Sequence, residues 1–133
     1  MLPTVEDHVA ISDLIARYCL ALDLGEIEDW VGLFAPDASY EVYGRSYDGR
    51  EALRKMMRAA PGGLHLGGPP VIDMLDADHA RTRRNLLFVE RTNGISRSAV
   101  YTDELVRTSE GWKIARCRCQ FIVKDGLSDR PER

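Results

Sequence analysis

The stretch Asn85-Leu86-Leu87-Phe88-Val89-Glu90-Arg91-Thr92-Asn93-Gly94-Ile95-Ser96-Arg97-Ser98-Ala99-Val100-Tyr101 decides the fold. Asn93-Gly94 is the strongest short hairpin signal a sequence can carry, and strand-type sequence runs away from it on both sides. The pattern predicts two long strands, His79 to Thr92 and Ile95 to Thr108. A two-residue turn at Asn93-Gly94 would set the register, placing Glu90 opposite Arg97, Arg84 opposite Asp103 and Arg83 opposite Glu104. Three opposite-charge pairs follow from one assumption, and cross-strand pairs of that kind favour it.

Working outward, Val71 to Leu75 reads as a strand followed by a turn at Asp76-Ala77-Asp78. Ser109-Glu110-Gly111 turns the chain into a last strand, Trp112 to Lys124, and the tail from Asp125 to Arg133 is polar and expected to be mobile. Toward the N-terminus the period changes. Thr4 is placed as an N-cap with Asp7 three residues on, in an approximate capping box. Val9, Ile11, Leu14, Ile15, Tyr18 and Leu22 then recur at helical spacing, giving an amphipathic helix to about Leu24 that Gly25 breaks. Ile27, Trp30, Val31, Leu33 and Phe34 predict a second, shorter helix stopped by Pro36. Ser39 to Tyr43 is a strand, Asp48-Gly49 a turn, and Arg50 to Ala59 a third helix closed by Pro61-Gly62-Gly63. Helices first and a long antiparallel meander after them mean α+β, with three N-terminal helices covering one face of a curved, mainly antiparallel sheet.

The 133 residues fit a single domain, 1–133, large enough for one core and a buried pocket. A net charge of −3 and a pI near 5.6 give no electrostatic pull toward nucleic acid. Arg81-Thr82-Arg83-Arg84 is basic but flanked by acidic residues, so it reads as a solvated strand face. No apolar run approaches a membrane span and no leader is evident, which makes a cytoplasmic protein the expectation. Cys117 and Cys119 share one strand face and, with Cys19, form no CxxC pair; buried small hydrophobes are the expected role, a metal or redox site the weaker alternative. With no Gly-rich phosphate loop and no HExxH ligand set, no cofactor or metal is expected.

Ala10-Ile11-Ser12-Asp13-Leu14 with Tyr18 and Leu22-Asp23, then Leu33-Phe34-Ala35-Pro36-Asp37-Ala38, Tyr47-Asp48-Gly49-Arg50-Glu51-Ala52 and Gly111-Trp112-Lys113-Ile114, are the residues that carry a family resemblance. Across nearly the whole chain this layout resembles the SnoaL-like group of the nuclear transport factor 2-like fold. The resemblance implies a cone whose open end holds a ligand. It does not fix a reaction, because the fold hosts isomerases, dehydratases, hydrolases, cyclases and non-enzymes.

Asp23 and His65 narrow the chemistry. In scytalone dehydratase, bile acid 7α-dehydratase and hexachlorocyclohexane dehydrochlorinase, an Asp ending the first helix pairs with a His on the strand after the third. Asp23 matches the first position, and His65, in Leu64-His65-Leu66-Gly67-Gly68, matches the second. The resemblance implies proton abstraction beside an activating group with loss of water or halide. A carboxylate that orients an imidazole selects its tautomer, leaving the other ring nitrogen as base. The spacing of Tyr18 from Asp23 also resembles the bile acid enzyme, where that Tyr helps catalysis, although five residues put the two about 140° apart around a helix. Tyr40 shares a strand face with Val42, where it either donates a hydrogen bond into the pocket or packs in the core. Scytalone dehydratase has a second catalytic His on the strand that here starts at His79. Glu90 falls near that position, as a pocket residue or as a surface partner of Arg97. Steroid isomerases of this fold carry an Asp base on the first strand where this chain has Val42, which argues against that activity. His8 and His79 are expected to face solvent.

The expectation is therefore a cofactor-independent lyase or isomerase acting on a small, largely apolar cyclic molecule bound in the cone. Two rivals stand beside it: a binding module that holds a hydrophobic ligand without turnover, and a small subunit of a ring-hydroxylating dioxygenase. Leu86, Leu87, Phe88 and Val89 alternate across a strand and cannot all face one core, so a homodimer or higher homo-oligomer covering the outer sheet face is expected.

Overall fold

Gly25 ends the first helical run and Gly49 stands at the start of the third, and the elements follow from such breaks. The computed structural model describes residues 1–132. In order these are α1 (Val5–Leu24), α2 (Ile27–Val31), β1 (Phe34–Val42), β2 (Arg45–Asp48), α3 (Arg50–Ala59), β3 (Gly63–Gly67), β4 (Val71–Met74), β5 (His79–Glu90), β6 (Ser96–Thr108), β7 (Gly111–Val123) and β8 (Gly126–Ser128). Thr4 caps α1 through its hydroxyl, which accepts the Asp7 N–H at 3.0 Å. Asp7 does not close the reciprocal half of the box. Its carboxylate is taken by Arg107 at 2.9 Å and by the Trp112 indole at 3.3 Å, pinning the helix start to the sheet. Gly25 ends α1 in the left-handed conformation, φ 70°, which costs a residue without Cβ nothing.

The strands form one sheet in the order β2-β1-β7-β6-β5-β3, with β4 on β5 and β8 on β7. Among the described residues only β1 against β7 is parallel; every other pairing is antiparallel. Its concave face is closed by one side of α1, from which Ile11, Leu14, Ile15, Tyr18 and Ala21 are buried. Trp30, Phe34 and Tyr18 pack as mutually tilted rings at the closed end.

Besides the strand β2, which lies outside the expected elements and takes in Asp48 from the expected turn, three features differ from the sequence expectation. The hairpin register is displaced by two residues: Phe88 pairs with Arg97, Arg84 with Tyr101 and Arg81 with Glu104. The loop contains four residues, Arg91 to Gly94, closed by Glu90 N–H to Ile95 C=O at 2.9 Å, with Gly94 at φ 69°. Asn93 explains the longer loop, since its side chain accepts the Ile95 N–H at 2.9 Å and donates to the Glu90 carboxylate at 3.1 Å. A shift of two leaves every side chain on its own face, so alternation could not have distinguished the registers. Second, Phe34 starts β1 instead of ending α2. Pro36 is accommodated because the β1–β7 register slips between Phe34 and Ser39, where a missing N–H is harmless. Third, Gly126–Ser128, read as part of a mobile tail, pairs with Phe121 to Val123 as β8.

Candidate functional site

His65 sits at the middle of β3, with its ring 4.7 Å from Phe88 on the neighbouring strand. Gly63 lets β3 approach that closely, because a Cβ there would lie 2.1 Å from the Val89 carbonyl oxygen. Asp23, in the last turn of α1, reaches across to it. One carboxylate oxygen, Oδ1, accepts the His65 backbone N–H at 2.8 Å and meets ring Nδ1 at 2.8 Å. The backbone contact fixes Asp23 relative to the strand, and the ring contact fixes the imidazole. A carboxylate only accepts, so the neutral ring places its proton on Nδ1 and leaves the Nε2 lone pair unspent. The two side chains are 14% and 19% exposed. Burial lowers the His65 pKa below its ordinary value, and the Asp23 bond only partly opposes this, so the ring is neutral at pH 7.

His65 borders a cavity of about 450 Å³, which Tyr18, Tyr40, Tyr101, Leu86, Phe88 and Phe121 also line. Its walls are mainly apolar or aromatic, the usual character of a small-molecule site. Asp23 opens instead on a side cavity of about 290 Å³ shared with Arg91 and Gly62, and His65 borders both. The 140° offset is thereby accounted for: Tyr18 points into the main cavity while Asp23 supports His65 from the other side. Tyr18 Oη lies 2.6 Å from Tyr40 Oη, and Tyr40 in turn donates to Tyr101 Oη at 3.4 Å. Burial raises all three phenols well above their usual pKa, which keeps them protonated as donors.

Glu90 borders the main cavity but is not paired with Arg97 as the shorter hairpin required. Its carboxylate is held by Asn93 at 3.1 Å and by the Thr92 hydroxyl at 3.4 Å, both in the longer loop. His79 is exposed and bound to Asp76 at 2.9 Å.

The Arg84–Asp103 pair expected across the hairpin is present, but it runs diagonally between the strands and is buried beneath the tyrosines instead of lying on a solvated face. Arg84 and Asp103 are both 0% exposed, with Arg84 Nε on Asp103 Oδ2 at 3.1 Å and the Thr82 hydroxyl on the same oxygen at 3.0 Å. The Arg84 guanidinium lies 4.6 Å from the Tyr18 ring centre and 4.9 Å from that of Tyr101. Burial opposes the Arg84 charge, but Asp103 outweighs it and holds the group firmly cationic. Arg84 and Thr82 are therefore not the solvated face expected of the basic run. Parity gave the signal, since Arg84 is in phase with Ala80 and Leu86, both buried. Among the described residues, Arg84 Nη2 and Asp103 Oδ1 have no hydrogen-bond partner.

Cys117 and Cys119 are buried, which pushes both thiols up, Cys119 to about 11, and makes them poor nucleophiles. Among the described residues no cluster of His, Cys, Asp and Glu could hold a metal ion, and no helix is long and apolar enough to cross a membrane.

The chain is similar in fold to several solved structures. A protein of unknown function from Mycobacterium tuberculosis is 28% identical, with a TM-score of 0.81 over 89% of this chain and 77% of that one. A scytalone dehydratase-like protein from Novosphingobium aromaticivorans DSM 12444 is 20% identical, with a TM-score of 0.80 over 98% and 94%. A type 2 hexachlorocyclohexane dehydrochlorinase is 19% identical, with a TM-score of 0.79 over 97% and 90%. At such identities the last two show a shared fold and no more. No curated protein matches the sequence. The SnoaL-like domain matches residues 3–118. With the cone-shaped α+β architecture and that match over most of its length, the chain belongs to the SnoaL-like family of the nuclear transport factor 2-like superfamily.

Proposed function

We propose that this protein is a cofactor-independent lyase or isomerase that removes a proton from a small, largely apolar cyclic molecule. The observation that supports this most directly is the 2.8 Å contact between Asp23 Oδ1 and His65 Nδ1, on a ring that borders an apolar cavity. His65 Nε2 takes a proton from a carbon beside an activating group. The C–H electron pair becomes a C=C bond as hydroxide or halide leaves from the adjacent carbon. The imidazolium returns its proton to the departing hydroxyl, giving water, or to solvent when halide leaves. Asp23 stabilises the imidazolium while it exists, and the hydroxyls of Tyr18 and Tyr40 become donors for charge developing on the activating oxygen by turning from their bonds to Tyr40 and Tyr101 respectively. Glu90 stands at the rim and contacts ligand there without taking part in proton transfer.

Hydroxylated and halogenated cyclic compounds, screened by mass spectrometry with wild type and His65→Ala in parallel, test the reading. Elimination product from the wild type alone is the expected result. Equal product from both proteins, or none across the set, would leave a ligand-binding module.

We also propose that two copies pair through the outer sheet face. Leu66 on β3 is opposite Leu87 on β5, and Ile122 on β7 is opposite Leu127 on β8, all of them exposed and in line across the sheet. Leu87→Arg should then give a smaller species by sedimentation velocity, and an unchanged wild-type monomer at micromolar concentration removes the proposal.

A further inference from the structure

The main cavity is apolar at its closed end but has charge at its mouth, and that charge is unbalanced. Arg97, Lys55 and Glu90 all border it. Glu90 is engaged by Asn93 and Thr92. Among the described residues neither Arg97 nor Lys55 makes an ion pair, and of the cations without one it is these two that border the main cavity. Arg97 is half-buried, directly across the strand pair from Phe88. A guanidinium partly withdrawn from water beside an aromatic ring, and offered no protein carboxylate, is costly unless something else supplies the anion.

The register shows how such a ligand would lie. His65, Phe88 and Arg97 are consecutive members of one cross-strand row on β3, β5 and β6. Two strand spacings, about 10 Å, separate the first Cα from the last. A ligand lying over Phe88 could present a C–H to His65 at one end and an anionic group to Arg97 at the other. Lys55, on α3, borders the same cavity and adds a second cation.

We propose that the cavity selects ligands carrying a carboxylate, bound by Arg97 with Lys55 as the second cation, about one bicyclic ring system away from the reacting carbon. This deepens the reading of the cavity as a substrate site and rests on it, but it needs binding alone and not turnover. Arg97 is preferred as the main anchor because its planar fork matches a carboxylate with two hydrogen bonds.

The test is calorimetric binding of matched acid and methyl ester pairs, such as 2-naphthylacetate and methyl 2-naphthylacetate, extended to one- and three-ring scaffolds. The acid should bind about tenfold more tightly than its ester, as a charge-assisted contact of this kind contributes. The preference should shrink as salt is raised. Arg97→Gln should bring the acid down to the ester's affinity, with Lys55→Gln having a smaller effect of the same sign. His65→Ala should leave the preference intact. Equal binding of acid and ester, or a preference that survives Arg97→Gln, overturns the proposal while leaving the cavity reading in place. Loss of the preference in His65→Ala also overturns it, because the anion would then sit on the imidazole. Failure of every pair to bind overturns both.

Discussion

The protein contains two carboxylate–base pairs within one cone, and they differ in what surrounds them. Asp103 and Arg84 are wholly withdrawn from solvent under the rings of Tyr18 and Tyr101. Asp23 and His65 make a contact of similar length, 2.8 Å against 3.1 Å, but keep a fraction of their surface open to two cavities. In the first pair the base is an arginine whose proton is never released in the working range. In the second it is an imidazole whose pKa burial has pulled below its ordinary value. Hydrogen bonding is thus common to both, while a proton that can move and a cavity to move it into belong to one. The buried pair supplies a fixed positive charge behind the tyrosines; the open pair supplies a base.

The sharpest break between the two is in activity. His65→Ala should lower turnover of a true substrate about 10²- to 10⁴-fold. Asp23→Asn should be nearly as severe, because an amide still hydrogen-bonds but cannot stabilise the imidazolium. Thermal melts of both variants should stay close to wild type. A large loss of stability in either would mean that the open pair, too, is structural.

For the buried pair the expectation reverses. Arg84→Met or Asp103→Leu alone should cost about 3–5 kcal/mol, since each strands an opposite charge in the core. The double variant should recover most of that loss, as measured by urea denaturation. If the singles and the double are equally destabilised, the ion pair is not what the core depends on, and packing around Tyr18 is the better account.

The pH dependence sharpens the contrast further. With the folded His65 pKa below that of a free imidazole, about 6.5, activity should rise with pH along a limb centred below that value and then level off. The sign for stability is the same. The unfolded chain binds the proton more readily, so the contribution of His65 is fully present above about 6.5 and is lost as pH falls through the folded pKa. A limb centred above 6.5 would mean that Asp23 outweighs burial. Arg84, held cationic by its neighbour, should add nothing to the profile near neutrality.

Glu90→Gln should have the smallest effect, less than about threefold on turnover, since its carboxylate already serves the loop through Asn93 and Thr92. A loss as large as that of Asp23→Asn would place Glu90 beside the dyad and break the division between the two pairs.

Much of this was legible in the residues. Thr4, Gly25 and the spacing of apolar residues marked α1, Asn93-Gly94 marked the β5–β6 hairpin, and Asp23 and His65 stood out by their local context. The face of each residue on β5 was legible too. The same parity that put Leu86 inside put Arg84 there, and only the habit of reading a basic run as solvated concealed it.

The amino-acid sequence by itself determined the element types, the side of the sheet each residue takes, and which residues could form an acid–base pair. The first two follow from local backbone preference and from the periods of helix and strand, and the last from the resemblance of Asp23 and His65 to the SnoaL-like pattern. Tertiary structure alone decided the rest. It set a hairpin register two residues from the apparent one, because alternation is blind to an even shift and the loop's own hydrogen bonds made the choice. It also turned Asp23 away from the main cavity and sealed Arg84 under two tyrosines. Whether a charge is solvated, paired or poised depends on what covers the face it lies on, and that cover comes from residues far away in the chain.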